Sequence, residues 1–324
     1  MFKTRLTEML GIDYPIVAGG MRNISRAELV AAVSAAGGLG ILDSSRFQKA
    51  EELRDEIRKT KSLTDRPFGI NITLFPWGDA KLNDQFIEVL VEEGVRAVET
   101  SGFRGPGEFI ERLHKGNVRL IHKVATVRHA MAAEREGADA VTIVGFEQGG
   151  ALGRDDVTTF VLVPRTVDSV KVPVLAGGGI GDARGLVAAL ALGAEGVVMG
   201  TRLLATRECI VHPAFKEWMV RADENDLAVI GRSVGRKSRV MKNKSTEPII
   251  EMESKGAPAG ELQPLFDQPA PSVYESGDVE AGRGGCGQVV GLINSVVSVR
   301  ELIDNMVEGA LAMRERLDGI IRPS

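Results

Sequence analysis

The sequence predicts an α/β fold, a closed (β/α)8 barrel of the TIM type, and three observations carry the prediction. The first is a recurring unit in which an amphipathic helix ends at glycine and a short β-branched run begins two or three residues later. It appears at Ala36-Gly37-Gly38-Leu39-Gly40-Ile41-Leu42 and at Glu93-Gly94-Val95-Arg96-Ala97-Val98. It returns at Glu136-Gly137-Ala138-Asp139-Ala140-Val141 and at Leu192-Gly193-Ala194-Glu195-Gly196-Val197-Val198. Such a unit is a helix closed by a left-handed glycine and fed straight into a buried parallel strand. The second observation is the count of short apolar runs, eight, each followed by helix-compatible sequence. The third is the shortness of the connections, and eight β–α alternations joined in this way close into a barrel. An open doubly wound sheet is the competing arrangement.

Taken in order, the strands are expected at Tyr14–Ala18, Leu39–Leu42, Phe68–Ile72 and Ala97–Thr100, then at Val118–His122, Ala140–Val144, Val172–Ala176 and Gly196–Met199. Helices with a 3.6-residue apolar period precede the capping glycines at Arg26–Ala36, Phe86–Glu93, Val127–Glu136 and Ala183–Leu192. Residues 207–285 break the rhythm and are rich in Lys, Glu, Pro and Gly. They are expected to form a mostly helical subdomain inserted after the eighth strand. The chain then divides into a barrel over 1–206, the insert over 207–285 and a returning segment over 286–324. In that last segment Ser298 and Glu301 are spaced as a capping box at the head of a helix over Ser298–Leu317.

Composition narrows the function. Forty-four acidic side chains against 40 basic ones give a net charge of -4, and aromatic residues make up only 5%. A nucleic-acid binder needs a basic face and often a stacking platform, so that class is excluded. Two cysteines, Cys209 and Cys286, make neither a disulfide framework nor a metal cluster and suit a reducing cytoplasm. The first residues reach Glu8 and Asp13 without an apolar leader, so no signal peptide is expected. The longest uncharged stretches, Leu29–Leu42 and Gly284–Val299, fall short of the roughly 20 apolar residues of a membrane span. The expectation is a soluble cytoplasmic protein with a small-molecule substrate, no metal and no membrane insertion; a homodimer is left open.

In a barrel of this kind the strand ends and the loops after them form the active-site face. Those positions are Ala18-Gly19-Gly20-Met21, Asn71-Ile72-Thr73, Ser101-Gly102, His122-Lys123, and the loop Gly145-Phe146-Glu147-Gln148-Gly149-Gly150-Ala151-Leu152-Gly153. Ala176-Gly177-Gly178-Gly179-Ile180 and Met199-Gly200-Thr201 complete them. Small residues dominate, and a wall of bare backbone amides lets a flat or anionic ligand come close. The glycines after the seventh strand and Gly200-Thr201 after the eighth point to a phosphate, which barrels frequently hold at this place. No G-x-G-x-x-G follows the first strand, so a Rossmann-type nucleotide site is not expected.

Several of these runs resemble the nitronate monooxygenase (2-nitropropane dioxygenase) family. They are Gly145–Gly150, Val174–Ile180, Asp182-Ala183-Arg184-Gly185, Met199–Leu203, Pro15–Met21 and Gly287–Ile293. Asp65–Gly69, His122-Lys123, Asp155-Asp156 and Thr206–Cys209 look most like its NADH:quinone reductase branch. The resemblance implies an FMN-dependent TIM barrel whose relatives include flavin-dependent enoyl-acyl-carrier-protein reductases. It implies that the FMN phosphate sits on Gly178, Gly179, Gly200 and Thr201, with Gly150, Ala176 and Gly177 in the same wall. The flavin ring would lie against Gly19, Gly20 and Met21, with Asn71 and Thr73 at its pyrimidine edge or its reactive nitrogen. Gln288 would close the ring site from the C-terminal side. Lys123 would bring a cation beside the edge that turns negative on reduction, favouring hydride acceptance. Strand alternation turns Lys123 toward the mouth and His122 away from it.

Two departures from the family pattern stand out. Ala151 occupies the place where relatives typically carry a histidine after the Gly pair, and Ala18 stands where glutamine is usual. Alanine cannot take a proton, so proton abstraction from a neutral nitroalkane is not expected, whereas hydride transfer from NADH or NADPH needs no base. The leading expectation is therefore an FMN enzyme that accepts hydride from NAD(P)H and reduces a quinone-like or other small acceptor. One alternative is a nitronate monooxygenase, and another is an enoyl-thioester reductase or a non-redox acyl-thioester enzyme. The loop Leu74–Asp79 is a candidate apolar lid. Glu147 is a candidate acid or base, although a carboxylate in a glycine-rich loop also suits backbone amides. Asp155 and Asp156 read as a helix N-cap.

Overall fold

A computed structural model describes residues 2–74, 80–102, 104–267 and 272–321 of the chain. Its eight parallel strands are Ile16–Ala18, Gly40–Asp43, Phe68–Leu74, Ala97–Gly102, Arg119–Val124, Ala140–Val144, Val174–Gly177 and Gly196–Met199. They are hydrogen-bonded in the spatial order first, eighth, seventh, sixth, fifth, fourth, third, second. The remaining gap is bridged where Val17 meets Leu39: Ala18 N–H donates to the Leu39 carbonyl and Leu39 N–H to that of Ile16. The barrel is therefore nearly closed, and the open sheet is set aside. The third strand is seven residues long, which carries Thr73 on the strand itself. The expected lid falls mostly on residues 75–79, outside the described residues.

Alternation divides the apolar residues into two cores. Val17, Leu39, Ile41, Ala97, Ile121, Ala140, Leu175 and Val198 point into the barrel. The complementary positions, such as Ile70, Val98, Leu120, Val141 and Val197, pack outward against the helices. A helix over Arg5–Leu10, not expected from the sequence, stops the floor of the barrel. Thr4 caps it by accepting from Thr7 N–H, and Leu6 and Leu10 join the inner core. The fit under the eighth strand is close enough that a methyl group on Gly196 would collide with Leu6.

Beyond the eighth strand the chain forms helices Thr201–Leu204 and Pro213–Arg221, then Glu247–Ser254, Ala259–Asp267 and Val273–Ser276. The expected mostly helical subdomain also contains an antiparallel hairpin that the sequence did not show, Leu227–Ile230 with Ser238–Met241. Its strands have four residues each, and charged neighbours obscure any alternation. Gly231 and Gly235, both left-handed, lie in the turn. Ile230, Val240, Ile249 and Leu262 give this region a small core of its own. The hairpin adds one more strand, Gly150–Ala151 of the sixth-strand loop, and so grips the barrel mouth. The terminal helix runs Val299–Ile320, with Ser298 accepting from Glu301 N–H, and packs on helices Ala27–Ala35 and Ala183–Ala191.

Candidate active site

At the C-terminal ends of the strands the inward positions change from apolar to polar. Asn71 on the third strand, Glu99 on the fourth and Lys123 on the fifth form one connected group. Asn71 Nδ2 donates to Glu99 Oε1 at 2.7 Å, and Lys123 Nζ donates to the same oxygen at 2.6 Å. Thr73 Oγ1 donates to Asn71 Oδ1 at 3.1 Å, so all four side chains hold one another. Glu99 is 0% exposed, whereas the Lys123 side chain keeps 24% of its surface. Glu99 Oε2 and the hydroxyl of Thr142, which pairs in register with Lys123, are buried and have no hydrogen-bond partner among the described residues. Glu99 was not among the expected site residues. The signal for it was an acidic residue inside the otherwise uncharged run Ala97-Val98-Glu99-Thr100.

Outward-facing His122 supports the assignment of Lys123 to the interior. Its Nδ1 is 2.8 Å from Thr100 Oγ1, and burial pushes its pKa down to about 4, with His129 and Lys123 adding to the shift. At the end of the second strand, burial raises the pKa of Asp43, while Asn23 N–H and Ser45 Oγ donate to its Oδ2. These bonds tie down the loop that follows the first strand. That loop crosses so close over Asn71 that a Cβ on Gly20 would overlap the Asn71 side chain. Gly19, Gly20 and Met21 thus stand beside the Asn71–Glu99–Lys123 group, and Met21 reaches Gly200.

The neighbouring sector is made of unsatisfied donors. The N–H groups of Gly178, Gly179, Gly200 and Thr201 donate to no acceptor among the described residues. Thr201 Oγ1 accepts from Gly287 N–H at 2.9 Å, which leaves its own proton to give. Gly178 and Gly179 are left-handed, at φ 94° and 76°, a conformation that L side chains rarely adopt. Backbone donors left open in this way at a half-buried strand end fit a phosphate. Gln288 begins a short 3-10 segment beside them, and its N–H donates to the Glu147 carbonyl.

The loop after the sixth strand is held from both sides. Both carboxylate oxygens of Glu147 accept from Thr159 N–H at 3.0 Å, and Oε2 also takes the Thr159 hydroxyl at 2.9 Å. Glu147 therefore caps helix Thr159–Val167 and is not a free acid or base here. Opposite it, the buried guanidinium of Arg239 donates to the carbonyls of Phe146 and Gln148 at 2.8 and 3.1 Å and lies over the Phe146 ring. Gly150 and Ala151 are strand-paired to the hairpin, and the Ala151 methyl is exposed.

Three expectations are corrected. Ala176 is fully buried, and it and Ala18 belong to the outer core, because alternation turns their neighbours Gly177 and Gly19 to the mouth. Neither methyl lines the site, so the change at position 18 has no direct bearing on the mouth. Asp155 and Asp156 do not cap the following helix, since Glu147 does. Asp156 instead pairs with Arg232 at 2.8 Å and with Lys237 across to the hairpin. Among the described residues no group of three His, Cys, Asp or Glu side chains could hold a metal, and no helix is long and apolar enough to cross a membrane.

Comparison with known proteins agrees with this geometry. A family described as nitronate monooxygenase matches residues 3–309. The chain is 34% identical to a Rhodococcus jostii enzyme named (3aS,4S,5R,7aS)-5-hydroxy-7a-methyl-1-oxo-octahydro-1H-indene-4-carboxyl-CoA dehydrogenase, with 98% of each chain covered. It is 33% identical to a probable nitronate monooxygenase of Staphylococcus aureus, over 78% of this chain and 81% of that one. Among solved structures, FabK from Thermotoga maritima superposes with a TM-score of 0.87 at 38% identity, covering 99% of this chain and 100% of that one.

Proposed function

Because this chain belongs to the nitronate monooxygenase family, we propose that it is an FMN-dependent oxidoreductase that passes hydride from NAD(P)H to a small unsaturated acyl thioester. The observation that carries the thioester is the end-to-end similarity to a carboxyl-CoA dehydrogenase, together with that to FabK. A quinone-like acceptor, which the motifs alone favoured, draws less support from these relatives. Bound FMN would supply the hydride relay between nicotinamide and carbon.

The chain's own residues would do the rest. The amides of Gly178, Gly179, Gly200 and Thr201 would hold the phosphate, while Gly19, Gly20 and Met21 leave room for a flat ring. Asn71, Thr73 and Lys123 would meet its polar edge. Ala151 carries no proton, and the Glu147 carboxylate is spent on Thr159. Removing a proton α to a thioester needs a base, which favours the reductive direction; adding one needs only solvent at the mouth. The lack of a free base among the described residues at the mouth also suits a second reading, oxidation of nitronates, which are already deprotonated, and the Staphylococcus aureus relative is named for that activity.

The test is an anaerobic reductant and acceptor screen on the protein as isolated. Flavin bleached by NADPH or NADH and reoxidised by crotonyl-CoA faster than by menadione is the expected result. Bleaching by a nitronate alone would replace the proposal with the second reading. A protein that stays colourless when supplied with FMN would remove both.

A further inference from the structure

The cation expected to act on the flavin is not a free one. Lys123 Nζ lies 2.6 Å from Glu99 Oε1, and Glu99 is fully enclosed by the barrel. A lone ammonium at the mouth would stabilise negative charge above it. An ammonium bonded to a buried carboxylate presents a dipole, whose field falls off faster. We infer that Glu99 is a positioning residue that holds the Lys123 ammonium in place and cancels most of the charge it presents to the ring. The inference rests on the flavin reading above.

The bonding around Glu99 argues against a merely structural carboxylate. One oxygen takes both donors, Lys123 and Asn71, and the other has none among the described residues. The Thr142 hydroxyl, in register with Lys123, is buried and donates to no acceptor among the described residues. Replacing a buried ion pair whole by neutral side chains is often no less stable, so stability alone does not explain the pair, although removing Glu99 by itself would leave Lys123 without its partner. What a neutral residue would not reproduce is the charge balance. With both groups ionised the pair is neutral; removing Glu99 leaves a full positive charge beneath the ring, whereas a fully buried Glu99 that loses Lys123 takes up a proton.

Four proteins test this: wild type, Glu99→Gln, Lys123→Met and the double variant. Sulfite adds to oxidised flavin to give an anion, so its affinity, read by loss of flavin absorbance, reports the local charge. Glu99→Gln should tighten sulfite binding by about tenfold or more, whereas Lys123→Met, whose buried Glu99 takes up a proton, and the double variant should both stay near wild type. Midpoint potentials should fall in the same order, about 30 mV per tenfold for a two-electron couple. If Glu99→Gln matches wild type and the double variant binds sulfite about tenfold more weakly than wild type, Lys123 acts as an uncompensated cation and the inference is overturned. Should Glu99→Gln fail to fold, the double variant against wild type decides, and sulfite affinity about tenfold below wild type overturns it. Amine labelling of Lys123 in flavin-free protein, read by peptide mass spectrometry, is independent of the functional reading. Glu99→Gln should speed it several-fold, and an unchanged rate counts against the pair even if no flavin ever binds.

Discussion

At the scale of single residues, small differences in position decide roles. Gly179 is left-handed, and its would-be Cβ stands 3.4 Å from Glu147 Cβ. Gly179→Val should therefore strain the amide wall and release FMN during purification, checked by the flavin-to-protein absorbance ratio; full retention would dissociate the phosphate from this turn. His122 gives a prediction in pH. The unfolded chain takes up its imidazole proton near pH 6.5, while the folded chain takes it up only near 4. Unfolding thus gains a proton in that window, and stability falls as the pH is lowered from about 6.5 toward 4. The loss reaches about 2–3 kcal/mol at the bottom of the window. Denaturant midpoints of wild type and His122→Gln across that range should converge as the pH falls. Lys123 was legible beforehand because alternation decides which of two neighbours faces inward. Glu99 was not, because sequence does not show that a parallel strand two residues out of step brings it to the lysine.

At the scale of elements, the hairpin and the sixth-strand loop behave as one piece. Arg239→Ala would leave the Phe146 and Gln148 carbonyls unpartnered, at about 1–3 kcal/mol for each acceptor that water cannot reach. Hydrogen exchange should then quicken over residues 146–152 while the barrel strands stay protected; uniform quickening would mean that Arg239 supports the whole fold. The glycine-capped helices and buried strands could be read in advance because helix end and strand start fall in one short string. The hairpin could not. Four-residue strands that pair with a loop nearly ninety positions away have no local signature, and nothing in the sequence singles out Arg239. The pairing also explains Asp156, which serves the hairpin through Arg232 and Lys237 rather than its own helix.

At the scale of the whole molecule, the barrel follows from the count and spacing of its strands, and its mouth from the small residues that end them. The Arg5–Leu10 helix was hidden because six residues are too few to show a period. It nonetheless has a kinetic consequence. With Leu6 and Leu10 corking the base, the described residues leave the mouth as the way in, so under the proposed reaction the electron donor and acceptor would share that opening and are expected to use it in turn. Initial rates measured over a grid of both concentrations should then plot as parallel lines, the mark of a double-displacement enzyme. Intersecting lines would mean that the two reactants sit in the cup together.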